Sequence, residues 1–176
     1  MKKSFVLFLI FATFSSVAQS PKDASLRSVL LEQLKTTHNK KEWFVPMNTA
    51  LEGLTPEQVV WKDGSGNHSV GQLAYHLVFW NERQLADFRG EKKSDFNGDN
   101  EQTFDKFDQK MWTEIVSRLD RVMTDLEKII ETSDEASLKK WAATVANISA
   151  HNAYHTGQII FVRKLQGAWD PDKGVK

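Results

Sequence analysis

Ile148-Ser149-Ala150-His151-Asn152-Ala153-Tyr154-His155-Thr156-Gly157-Gln158-Ile159-Ile160-Phe161-Val162 carries two histidines four residues apart among apolar neighbours. At about 100° per residue, that spacing sets His151 and His155 one turn apart on the same side of a helix, with Ile148, Ile159 and Val162 within roughly 40° of His155. Such a stripe faces a core, where imidazole needs partners for both ring nitrogens. A metal ion would satisfy both residues at once, with His76 on an earlier helix as the third ligand. The spacing alone also suits a surface pair or a satisfied core contact; the apolar stripe favours the metal.

Working outward, the helix that carries the pair is expected from about Ser137 to Gln166, ended by Gly167 with Pro171 just beyond. Before it, Ile115, Leu119, Val122, Leu126 and Ile129 alternate steps of four and three, the period of antiparallel bundle packing, on a helix from about Phe107 to Ile130. Ser69-Val70-Gly71-Gln72 reads as a capping box opening a helix through Leu73, Leu77, Trp80 and Phe88 to Gly90. A first helical segment, about Ala24 to Leu54, has Pro46 inside it and should kink or break near Phe44. Residues 57–68 and 90–104 read as connections. Four amphipathic helices without convincing strands, internal repeats or low-complexity tracts make an all-α four-helix bundle, in which metal sites sit on inward-facing side chains.

The N-terminus reads differently. Lys2 and Lys3, an apolar run from Phe5 to Phe14, and Ser16-Val17-Ala18 have the form of a secretory signal peptide over residues 1–18, too short for a membrane span. The bundle domain is then 19–176, exported to the periplasm or secreted, with no stable membrane anchor after cleavage. Cleavage removes two of the 23 lysines and arginines and none of the 23 acids, so the mature chain carries a net charge of −2. That balance gives no pull toward nucleic acid or an anionic membrane. With no cysteine, the chain has no disulfide, and its core, alone or with a metal, must hold the fold.

Three protein nitrogens leave a tetrahedral ion one open position, the arrangement of catalytic zinc. Imidazole suits several ions; zinc or nickel stand first, manganese and iron behind them. Gln158, three residues past His155, and Arg83, two turns past His76, are candidates to bond a small-molecule substrate. His68 reads as a solvated loop residue near the mouth of such a site, and His38, beside Asn39, Lys40 and Lys41, as surface. The residue after His151 is Asn152, where the zinc-protease pattern places glutamate, so a protease of that type is excluded. The oligomeric state is left open, a homodimer included.

Trp61, Ser69-Val70-Gly71-Gln72, His76-Leu77 and Trp80 resemble the second-helix signature of the DinB-like (YfiT-type) family. The stretch His151 to Ile159, with Arg163 and Gly167, resembles that family's last-helix signature, and Leu51 to Glu57 its first connection. The resemblance implies a four-helix bundle with a three-histidine metal site at His76, His151 and His155. It also implies a choice of chemistries: metal-dependent hydrolysis, or S-transfer from low-molecular-weight thiols. An export signal disfavours the second, since such thiols are kept reduced in the cytosol. A non-catalytic exported module that holds a metal or ligand is a further alternative.

Overall fold

The computed structural model describes residues 24–93 and 95–175, and the expected signal peptide lies outside them. Seven α-helices and no strand occur among the described residues: α1 (Leu26–His38), α2 (Met47–Leu51), α3 (Pro56–Val60), α4 (Val70–Arg89), α5 (Gln102–Asp105), α6 (Trp112–Thr132) and α7 (Glu135–Leu165). The four long ones, α1, α4, α6 and α7, form the bundle. Its core includes Leu34, Leu77, Leu119, Met123, Leu126 and Ile159, all essentially inaccessible to solvent. No helix among the described residues is long and apolar enough to cross a membrane.

The helix ends follow the local chemistry. The Ser69 hydroxyl accepts from the Gln72 backbone N–H, and the Gln72 side chain accepts from the Ser69 N–H, the reciprocal pair expected there. Gly90, at φ 68°, ends α4 in the left-handed conformation that glycine tolerates. Asp134 caps α7, which therefore begins two residues before the expected Ser137.

The expected break near Phe44 is present: α1 stops at His38, and α2 restarts after Pro46, which cannot sit in a helix interior. Other boundaries need correction. The stretch read as a connection over 57–68 contains most of α3, opened by a Thr55–Gln58 capping box with Pro56 in its first turn. The segment 90–104 is not all loop, because α5 begins within it, and α6 starts at Trp112 rather than Phe107.

The packing is also only partly antiparallel. Arg118 pairs with Glu82 and Arg89 with Asp125, so contacts advance together along α4 and α6, which run parallel. Asn81 meets Asn152 while Phe88 stacks on Trp141, so α4 and α7 run antiparallel. Arg27 donates to the Ile130, Glu131 and Ser133 carbonyls and His38 meets Asp120, so α1 and α6 run antiparallel. Parallel neighbours cannot be joined by a short turn. The chain must return the length of α4, about 30 Å for 20 residues at 1.5 Å each. The crossover between α4 and α6 makes that return and lays α5 against α4, with Thr103 on His76 and Phe104 facing the rings of His76 and His155. Phe107, on the same crossover, packs so closely on Gly71 that a Cβ there would lie 2.1 Å from its ring.

Candidate metal centre

The structure brings His76 of α4 together with His151 and His155 of α7, one ring nitrogen from each lying within 4.8 Å of the others. Antiparallel packing of α4 on α7 sets the first ring against the other two. The His76 and His151 Nε2 atoms are 3.0 Å apart. The His155 ring lies 4.6 Å from that of His76 and 4.5 Å from that of His151, centroid to centroid, both edge to face.

Hydrogen bonds decide which nitrogen of the His76 and His155 rings faces inward. The Thr103 hydroxyl donates its proton to the Asn100 carbonyl at 2.6 Å. Its oxygen can therefore only accept from His76 Nδ1, at 2.5 Å, which leaves a lone pair on His76 Nε2. The Gln158 amide oxygen, an acceptor only, receives His155 Nδ1–H at 2.6 Å and leaves a lone pair on that ring's Nε2. These are the outer partners that orient metal-binding imidazoles.

Electrostatics favour the same state. Burial, with the neighbouring histidines adding to it, pushes His76 down to about 3, and burial followed by His155 pushes His151 down to about 4. Burial also lowers His155, against the pull of its Gln158 hydrogen bond. The rings are thus held neutral at ordinary pH, as metal ligation requires. Three neutral imidazole nitrogens at this spacing suit a divalent ion, whose bonds to nitrogen run about 2.0–2.1 Å for zinc.

The cluster sits at one end of a cleft of about 720 Å³ between α4 and α7. Trp80, Phe104 and Tyr154 are among its walls. Phe104 is sandwiched between the rings of His68 and His76, with centroids 3.9 and 4.0 Å away and planes nearly parallel. His68 is accordingly half-buried against α5 rather than free in solvent.

The other candidates divide. Gln158 is at the site but bonds His155, and its amide N–H points to the Tyr154 hydroxyl at 3.3 Å, so it positions a ring rather than meeting a ligand. Arg83 is not in this cleft. Its guanidinium lies over the Phe79 and Phe96 rings, at 5.4 and 5.3 Å, on another face of α4. Helical spacing places its Cα near the His76 side, but its long side chain swings to the aromatic pair. Asn152 is fully buried and exchanges amide hydrogen bonds with Asn81, tying α7 to α4 where a protease would need a base.

His38 is the clearest miss: it is buried, with Nδ1 2.7 Å from Glu127 and Nε2 3.0 Å from Asp120. Thr103 and Phe104 were also missed. They lie in a polar stretch whose sequence carries no helical period long enough to read, and only the parallel crossover brings them to His76.

An all-α bundle with three histidines converging from two of its helices, at the end of an open cleft, defines the class of this protein. The sequence model of the DinB superfamily matches residues 47–159, and the chain belongs to that superfamily. No curated protein and no solved structure matches the chain. The superfamily and the histidine cluster together fit a metal-binding protein.

Proposed function

We propose that this is an exported, metal-dependent hydrolase of a small molecule, with His76, His151 and His155 holding one divalent ion. Zinc or nickel is the expected ion, with manganese or iron as alternatives. The observation that carries the reading is the set of three neutral imidazoles, two with tautomers set by Thr103 and Gln158, at the inner end of an open cleft. An ion in that shell supplies Lewis acidity.

The chain's own residues do the rest. Phe104 covers one face of His76 and excludes water from it, while Trp80 forms an apolar wall of the cleft. The Tyr154 oxygen accepts from Gln158, so its own O–H is available to donate to a leaving group in the cleft.

The test is turnover of a panel of esters, amides and phosphoesters by the purified full chain. Activity should vanish with a chelator, return with the ion, and be absent in His151→Ala. An ion tightly held with no turnover anywhere in the panel would overturn hydrolysis and leave a binding module.

One observation supports a second reading. Among the described residues, no aspartate or glutamate lines the cleft. Thiol S-transfer, in which the ligand's own thiolate attacks, needs no such base. N-terminal sequencing separates the settings of the two readings. A start at or near Gln19 in protein from the cell envelope supports export, and an intact Met1 on cytosolic protein would favour the thiol reading.

A further inference from the structure

The cleft continues well past the histidines, along a ruler set by two antiparallel helices. On α4, His76 is followed by Trp80 and Gln84, four and eight residues on. On α7, running the opposite way, His151 is followed toward the same end by Asn147 and Thr144, four and seven residues back. At 1.5 Å per residue these steps lie about 6 Å and about 11 Å from the histidines. Asn100 closes the wall from the crossover.

Apart from the histidines, no ionisable acid or base of the Asp, Glu, Lys or Arg type lines this cleft among the described residues. In a chain with 23 acidic and 23 basic residues that is a selective wall. A second cleft, on the other side of α4, carries both signs of charge on its wall, with Arg83, Lys106 and Arg118 beside Glu82 and Asp95, and shows the contrast. The Gln84 and Asn147 carboxamides and the Thr144 hydroxyl are not committed to a hydrogen bond with another described residue. Each carboxamide offers a donor and an acceptor together. Such a wall pairs with neutral groups that also donate and accept. It offers no counter-charge to a carboxylate, phosphate or ammonium, whose desolvation would then go unrecovered.

We infer that the ligand is a molecule carrying its one ionisable group at the metal end and neutral, hydrogen-bonding groups, amide or hydroxyl, about 6–11 Å beyond it. This rests on the metal reading above and names the ligand class for the same site. A second charge at that distance would find no counter-charge on this wall.

The test uses the full chain loaded with cobalt(II), whose visible spectrum reports on ligands at the histidines. The probes are linear hydroxamates with one metal-binding end and one six-carbon spacer, ending in a primary carboxamide, a carboxylate, an ammonium or a methyl group. The carboxamide should bind at least tenfold tighter than each of the other three. In the Gln84→Glu, Asn147→Asp double variant the preference should pass to the ammonium by a similar factor. Equal binding of all four, a charged tail preferred by the unaltered protein, or a preference unmoved by the double variant would each overturn the inference. If cobalt binds but no hydroxamate perturbs its spectrum, this inference falls while the metal reading stands; if the chain takes up no cobalt at all, the metal reading itself fails and takes this one with it.

Discussion

Thr103 shows how a single hydroxyl can orient a candidate metal-ligating histidine from outside its helix. Its proton is committed to Asn100, so it imposes the tautomer of His76. Thr103→Val removes the acceptor at nearly constant shape and should weaken metal binding by about 10–100-fold, the usual cost of losing such an outer partner. Thr103→Ser should restore most of it; equal affinity in all three proteins, by competition titration, would remove Thr103 from the site. His38 shows the opposite electrostatics. Burial pulls its pKa down, but hydrogen bonds to Glu127 and Asp120 outweigh that and hold it above 6.5. A raised pKa means that the ion pair's contribution is fully present below about pH 6.5 and fades as pH rises through the folded value. His38→Gln should therefore lower the melting temperature most near pH 5–6, with the gap to the unaltered protein narrowing toward pH 9. A gap that widens with pH would contradict this assignment.

At the scale of elements, the crossover between α4 and α6 matters most, because it carries α5 to the histidines. It is held at one end by the Phe107 ring against Gly71. Gly71→Ala drives a methyl group into that ring, and relief requires Phe107 to move; overpacking of this kind costs about 1–3 kcal/mol. Adding Phe107→Ala should recover part of the loss, so the two changes together should cost less than their sum in a denaturation cycle. Strict additivity would mean that the crossover is anchored elsewhere. Arg27 has a comparable role at the other end of the bundle: its guanidinium takes the Ile130 and Glu131 carbonyls in the last turn of α6 and the Ser133 carbonyl at its cap, and joins α1 to that helix.

At the scale of the whole molecule, the hydrophobic core and the histidine cluster are separable. The core runs through all four long helices, whereas the cluster joins only α4 and α7. An ion bound only by the folded chain adds about 4 kcal/mol when free ion stands 1,000-fold above its dissociation constant. For a chain of this size each kcal/mol moves the melting temperature by about 2–4 °C. Chelation should therefore lower melting by roughly 8–16 °C while leaving the far-ultraviolet circular dichroism at 25 °C unchanged. Loss of helix on chelation would show instead that the metal is needed for folding.

The all-α class, the caps of α4 and the pairing of His151 with His155 were legible in the chain itself, because each rests on residues a few positions apart: a 3.6-residue period, a Ser–Gln box, a spacing of four. So was the expectation that His76 would join them, since an apolar stripe with embedded imidazoles needs partners from a facing helix. The direction of α6 relative to α4 was not legible, because the same apolar period serves parallel and antiparallel neighbours alike. From that one topological fact follow the crossover, the arrival of Thr103 and Phe104 at His76, and the shape of the cleft. His38 was misread for a related reason: Lys40 and Lys41 lie beside it in the chain, but Asp120 and Glu127, 82 and 89 residues away, face it in space. Short-range regularities are written in local sequence; partners brought together by helix packing depend on every helix at once, and only the folded chain selects them.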